Sequence, residues 1–284
     1  MGAEGSKIWL KPIFPYPALF LRKDSERILI VADLHIGWEV TLAEQGIHVP
    51  SQLPKLLMRL KETISKCKPN RLILLGDVKH TVGKVELAEW RDVPEFFEEV
   101  LSIVPRVDVV PGNHDGDLEP LTPSAVRIHQ PMGIRLWGEV GLFHGHAWPG
   151  LDVLTRQTLI MAHLHPVVAF RDQFNYRIVK PVWVKASCKP ELIKAILSRR
   201  SHGKNSVVNS DGVEREQRVI VVPPLNEFLG GQPINEDGSR RGSLGKGELL
   251  GPFLRSGCVD MGRAEVYLLD GTYLGSVAQL RAFV

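Results

Sequence analysis

Five short segments of this 284-residue chain concentrate side chains that bind metal ions or move protons. They read Asp33-Leu34-His35, Gly76-Asp77-Val78-Lys79-His80, Gly112-Asn113-His114-Asp115, His144-Gly145-His146 and His163-Leu164-His165. Seven of the ten histidines fall in them, and none of the cysteines does. Carboxylate, amide oxygen and imidazole without thiolate suit Mn, Fe or Zn, not an iron–sulfur cluster or a structural zinc. On extended chain, Asp-X-His and His-X-His point both side chains to one face, because the strand period is two. Gly76 and Gly112 leave room for close backbone approach or an unusual φ just before a ligand. A single Asp-X-His is common by chance. Five such segments in order are not.

Each segment follows an apolar run that reads as a strand. Arg27–Ala32, Arg71–Leu75 and Val107–Val110 are rich in Ile, Leu and Val, and they alternate with helical patterns, which predicts an α/β fold. Ser51–Lys66 carries Leu53, Leu56, Leu57, Leu60 and Ile64 at helical spacing. Glu86–Ile103 is a second helix, which Pro94 is expected to kink or divide. In open α/β sheets ligands bind beyond the carboxyl ends of strands, so the five endings are expected to converge. From Ile134 to Trp183 the pattern shifts to shorter strands, at Gly141–Phe143, Thr158–Met161, Val167–Phe170 and Tyr176–Val184. A second sheet, or the far half of a mixed one, is expected there. Lys189–Ser198 reads as a short helix, Arg199–Arg218 as a mobile polar loop, and Gly230–Gly257, with eight glycines, as long loops. Asp270-Gly271 between Glu265–Leu269 and Thr272–Leu274 is a hairpin signal.

Composition narrows the function classes. With 44% hydrophobic and 24% charged residues the chain is neither disordered nor fibrous, and no apolar run nears the roughly 18 residues of a membrane span. Met1–Lys7 has no apolar signal core, so a cytoplasmic location is expected. Cys67, Cys188 and Cys258 are odd in number and distant in sequence, which argues for isolated reduced thiols. Gly245-Lys246 has neither the upstream Gly nor the following Ser or Thr of a P-loop. A His-Glu-X-X-His helix and a Gly-X-Ser-X-Gly elbow are also missing.

Taken in order, these motifs resemble those of the calcineurin-like metallophosphoesterases. The run from Pro223-Pro224-Leu225-Asn226 through Gly230-Gly231 to Glu265-Val266-Tyr267 and Asp270-Gly271 further resembles the DNA-ligase-associated, ICC-like branch. Two departures stand out: Ala162 begins the last motif where Gly is usual, and His80 stands where many relatives have Asp. The resemblance implies a four-layer α/β/β/α sandwich of two mixed sheets. It implies a metallophosphoesterase core at 1–186 and a C-terminal extension at 187–284 packed on it. It also implies two divalent cations, one on Asp33, His35, Asp77 and His165, the other on Asp77, Asn113, His144 and His163. Manganese is expected, with Fe, Zn, Ni or Co as alternatives. Such a pair shares a carboxylate, acidifies a bridging water and clamps both oxygens of an in-line displacement. His114 becomes the leaving-group acid or a donor to developing charge.

Several residues keep two readings. Asp115 either holds His114 or caps its loop. His80 either orients a ligand or caps the following helix, and His146 either touches substrate phosphate or merely neighbours His144. Trp38 and Trp148 either stack on a base or sugar or pack. Asn226, Gly230 and Gly231 either line the site's mouth or form a turn. Lys79, inside its motif, needs no chemical role. The expected activity is a phosphodiesterase on cyclic nucleotides or nucleic acid. Seven Lys or Arg against Glu191 alone between Lys180 and Lys204 give it slight support. A phosphomonoesterase on the same centre, or a binding scaffold with a decayed site, are the competing readings. The branch resemblance adds a DNA- or RNA-processing partner and no membrane.

Overall fold

The computed structural model describes residues 7–201, 216–236 and 251–283. It divides into two compact units, one reaching to His129 and taking in Pro224–Glu227, the other formed by Gln130–Pro223 and the chain from Phe228.

The first unit is built on a six-stranded mixed sheet ordered β1-β2-β3-β4-β5-β6. The strands are β1 (Trp9–Pro12), β2 (Leu19–Lys23), β3 (Glu26–Val31), β4 (Arg71–Leu74), β5 (Val107–Val109) and β6 (Val126–Ile128). β1, β2 and β3 form antiparallel pairs, whereas β3 through β6 run parallel. Among the described residues three α-helices belong to this unit: α1 (Glu39–Glu44), α2 (Leu53–Cys67) and α3 (Leu87–Leu101). One sheet face, carrying Leu29, Val31, Leu72, Leu74, Val107 and Val109, joins the buried stripes of α2 and α3 in a single core. Those strand positions alternate because successive side chains leave opposite faces. α3 runs unbroken through Pro94. Burial of Val93, Phe96, Phe97 and Val100 outweighs the roughly 3 kcal/mol that an interior proline costs.

Asp108, in the middle of β5, is fully buried. Arg71 Nε donates to it at 2.8 Å, Arg106 Nε at 3.1 Å and His129 Nε2 at 2.6 Å. Burial alone would raise its carboxyl. The hydrogen bonds from His129 and Arg71, with the charges of Arg71 and Arg106, outweigh that and hold it far below the usual carboxylate range.

Among the described residues the second unit has nine strands: β7 (Ile134–Leu136), β8 (Val140–Leu142), β9 (Thr158–Met161), β10 (Pro166–Arg171), β11 (Arg177–Cys188), β12 (Gln217–Val221), β13 (Gln232–Pro233), β14 (Glu265–Leu268) and β15 (Tyr273–Ser276). Seven lie in the order β13-β10-β11-β12-β9-β8-β7, with β14 paired to β11 and β15 to β14. β8, β9 and β12 run parallel and most other pairs antiparallel, so this sheet is mixed as well. β12 is thus inserted between β9 and β11, pairing Arg218 with Thr158 across about sixty residues of chain. The helices are α4 (Leu151–Leu154), α5 (Pro190–Ser201), α6 (Gly251–Arg255) and α7 (Val277–Leu280). Their apolar residues close a second core with Leu159, Met161, Val182, Val184, Val219 and Val221.

The strand run expected at Tyr176–Val184 is longer, reaching Cys188, and the terminal hairpin forms as expected. The polar loop expected over Arg199–Arg218 begins as the end of α5 and ends inside β12; 202–215 lie outside the described residues. Within Gly230–Gly257, β13 and α6 form, and 237–250 lie outside them. No disulfide forms, yet Cys188 and Cys258 are not isolated: their sulfurs are 4.0 Å apart in the second core. Among the described residues no helix is long and apolar enough to cross a membrane.

Candidate metal centre

In the first unit the motifs leave the carboxyl ends of parallel strands, Asp33 and His35 after β3, Asp77 after β4, and Gly112–Asp115 after β5. Backbone bonds lace the first two loops together: Leu34 and His35 N–H both donate to the Asp77 carbonyl at 2.9 Å. Neither Asp33 nor His35 lies on extended chain. Their φ angles are 54° and 46°, and that of Asp77 is 54°. The alternation expected of a strand is therefore replaced by alternate left-handed residues with Leu34 between them, and this is what turns both side chains to one place. His163 (φ 67°) and His165 (φ 45°) repeat the device after β9. Five of the ten non-glycine residues with positive φ among those described are thus candidate ligands. Each such residue costs about 1–3 kcal/mol, strain that folded proteins keep chiefly at functional sites.

One donor atom each from Asp33, His35 and Asp77 lie within 4.8 Å of one another. All three residues are buried. Asp77 Oδ1 accepts the His114 backbone N–H at 2.9 Å, and its Oδ2 is 3.5 Å from His35 Nε2. A Cβ on Gly112 would stand 2.1 Å from Asp77 Oδ1. Gly112 is thus the space into which this carboxylate fits. Two buried carboxylates beside an imidazole form a donor set that divalent cations compensate. The residues present fit such an ion.

Asp115 is buried and its carboxylate is a backbone clamp. It accepts the N–H of Gly112 and Asp77 at 2.8 Å on one oxygen, and those of Val78 (2.8 Å) and Lys79 (3.4 Å) on the other. The bond from Gly112 closes its own loop, as the local-cap reading expects, and the other three pin the Asp77 loop to it. Asn113 is exposed on this loop, and His114 is half-buried. His114 Nδ1 donates to the His80 carbonyl. A carbonyl can only accept, so Nδ1 carries a proton, and Nε2 is the ring nitrogen not engaged by this bond.

His80 does not begin a helix; α3 starts at Leu87 with a Glu86–Glu89 capping box. Its ring instead sits between His35 and Thr41, with Nδ1 3.1 Å from His35 Nδ1 and Nε2 3.1 Å from Thr41 Oγ1. Burial, then the neighbouring His114, lowers its pKa, against the opposing pull of Glu89 and Asp77. The fully buried Glu89 holds the segment, accepting the N–H of His80 at 3.0 Å and of Thr81 at 2.7 Å. Lys79 is also fully buried, its Nζ donating to the Thr81 carbonyl. Composition hinted at neither duty. Asn226 donates through Nδ2 to the Leu34 carbonyl at 3.0 Å, and Leu225 N–H to that of Ala32 at 2.8 Å. The Pro224–Glu227 segment thereby splints the Asp33 loop.

In the second unit His144 follows β8 and His163 follows β9. Both are buried, with rings 5.0 Å apart and one donor atom each within 4.8 Å of the other. His146 is half-buried, its ring 5.4 Å from that of His144 and 6.1 Å from that of His163. His165 Nδ1 donates to the Gly230 carbonyl at 3.3 Å, which by the same logic places a ring proton on Nδ1. A Cβ on Gly231 would stand 2.4 Å from the His165 carbonyl oxygen, so this glycine is needed for the approach, whereas a Cβ on Gly230 would meet nothing within 4 Å. Ala162 keeps an ordinary φ, which is why the usual Gly is dispensable there. α6 reaches the same cluster, for a Cβ on Gly251 would stand 2.0 Å from the Gly145 carbonyl oxygen. Trp148 packs on the second core and carries the Arg200 guanidinium 4.7 Å above its ring. Trp38 is half-buried at the start of α1.

No curated protein sequence matches the chain. A solved structure of the nuclease MPE of Pseudomonas putida shares 18% identity over 94% of this chain and 100% of that one, with a TM-score of 0.51. YfcE, a phosphoesterase from E. coli, shares 21% identity over 51% of this chain and 73% of its own, with a TM-score of 0.33. The sequence profile of the calcineurin-like phosphoesterases matches residues 26–196, more than half of the chain. That span takes in all five motifs described above, and the chain belongs to the calcineurin-like phosphoesterase family.

Proposed function

We propose that the chain is a metal-dependent phosphodiesterase acting on cyclic nucleotides or nucleic acid at a centre of two divalent cations. The observation that carries this reading is the set of strained, buried carboxylates and imidazoles at strand ends, in a member of a phosphoesterase family. Asp33, His35, Asp77 and His165 would hold one cation, and Asp77, Asn113, His144 and His163 the other. When bound, such cations supply Lewis acidity, lowering the pKa of a water and neutralising phosphoryl oxygens. His114, fixed through Nδ1, would present Nε2 to the leaving oxygen. As the imidazolium, with a proton on each ring nitrogen, it would give the Nε2 proton to that oxygen and be left neutral, with Nδ1 still bonded to the His80 carbonyl. Asp115 acts through Asp77, holding its loop. His146 faces a substrate phosphate oxygen. The nuclease whose fold the chain shares supports nucleic acid as the first substrate to try, as do the exposed Lys180, Lys194, Arg199 and Arg200. A DNA- or RNA-processing partner and a cytoplasmic setting, where free thiols persist, complete the proposal.

Chelator-treated protein is expected to be nearly inactive, and Mn²⁺ to restore turnover better than Mg²⁺. Four imidazoles among seven ligands are more than Mg²⁺ accepts readily. Full activity without metal would overturn the metal centre, and a strong Mg²⁺ preference would count against this ligand set. Hydrolysis of bis-p-nitrophenyl phosphate should exceed that of p-nitrophenyl phosphate. The reverse ratio would make the protein a phosphomonoesterase using the same residues.

A further inference from the structure

We propose that His80 is a positioning residue that decides which ring nitrogen of His35 faces a bound cation, and that Thr41 supports it. The inference rests on the metal-centre reading. His114 and His165 have their Nδ1 protons placed by carbonyl oxygens, of His80 and Gly230. His35 is different. Its Nδ1 meets another imidazole, His80 Nδ1, at 3.1 Å. Two ring nitrogens at that distance need one proton between them, and either ring could supply it.

The Asp77 end of the pair decides the direction, because the Thr41 hydroxyl can donate or accept and so serves either arrangement. If His80 gave the proton, His35 would carry its own on Nε2, aimed at Asp77 Oδ2. That separation is 3.5 Å, outside the 2.7–3.2 Å of an N–H···O bond. If His35 gives the proton, its Nε2 keeps a lone pair beside the Asp77 carboxylate, where a cation can bind both. His80 then carries its proton on Nε2, and Thr41 Oγ1 accepts it at 3.1 Å. The chain Thr41, His80, His35 thus runs in one direction, with a ligand lone pair at its end. His80 is held for this task by its backbone N–H, which donates to the Ile36 carbonyl and to Glu89 Oε1, both at 3.0 Å.

The test uses the full chain, stripped of metal, with His80→Leu, His80→Asn and Thr41→Val. An Asn side chain can offer its amide oxygen near the place of His80 Nδ1, whereas Leu offers no acceptor. Mn²⁺ binding measured by calorimetry should weaken about 10–100-fold in His80→Leu. It should be largely restored in His80→Asn. In the metal-free protein, ring ¹⁵N shifts should show His35 protonated on Nδ1, and Thr41→Val should shift that tautomer balance. Melting temperatures separate the effect from simple unfolding, and the ¹⁵N reading of the unaltered chain decides the matter should His80→Leu not fold. Unchanged Mn²⁺ affinity in His80→Leu, or His35 protonated on Nε2, would overturn the proposal. So would equal losses in Asn and Leu, which would make His80 itself a ligand. A wild-type chain that binds no Mn²⁺ would instead refute the metal centre, a distinguishable failure.

Discussion

Asp77→Asn is expected to abolish turnover while leaving the fold intact. The replacement is isosteric, and its amide oxygen can keep the 2.9 Å bond from the His114 N–H. That choice commits the amide NH₂ to the position of Oδ2, beside His35 Nε2. Two donor hydrogens would then point where a cation is to sit. The reverse orientation points them at the His114 N–H and towards Gly112, where there is no room to adjust. Either way the charge shared by both proposed cations is lost. The fall in kcat should exceed the roughly 10²–10³-fold typical of removing one preorganised stabilising group, with the melting temperature little changed. Metal titration should show both sites weakened together. Two sites still filled at unchanged affinity would remove Asp77 from the bridging position.

His114→Ala should keep both metals, because the contact of this residue with Asp77 is made by backbone N–H and survives the substitution. The His80 carbonyl loses a donor, a cost of about 1–3 kcal/mol if the group stays dry. Turnover of ordinary phosphodiesters should fall about 10²–10⁴-fold, the usual contribution of a general acid. The loss should shrink for p-nitrophenyl esters, whose leaving group departs readily as a phenolate. Equal losses on good and poor leaving groups would assign His114 to stabilising charge on the phosphoryl oxygens instead. Full activity on a poor leaving group would end its candidacy. Rates on two esters of different leaving-group pKa, with metal content measured beside them, distinguish these outcomes.

The two predictions depend on different levels of structure. That Asp77 and His114 belong to one chemistry is legible in the order of the motifs. That a backbone N–H joins them, which is why one substitution is expected to spare the proposed metals and the other is not, is a property of the folded loops alone.

The sequence by itself determined the central strands, the helix α2, the terminal hairpin and the identity of the chemical segments. Strands such as β3, β4 and β9 each carry an unbroken apolar run after a polar start. α2 shows its buried stripe at helical spacing. β1 and β2 are masked by prolines, with Pro12 ending β1 and Pro15 and Pro17 in the turn before β2, which read as loop. β12 escaped notice because its pairing with β9 is non-local, and no local pattern encodes a partner so far away. Only the tertiary structure decided how the site is held. Local pattern predicted strand alternation at Asp33 and His35, and the loops instead take left-handed backbone, a strain that isolated chain would release. Asp115 became a clamp on Asp77, Asn226 a splint on a loop 192 residues away, and His80 a partner of His35. Each of these contacts joins groups of ordinary type across long stretches of chain. Residue types announce which chemistry is possible; proton direction and ligand orientation depend on neighbours that only folding brings within about 3 Å.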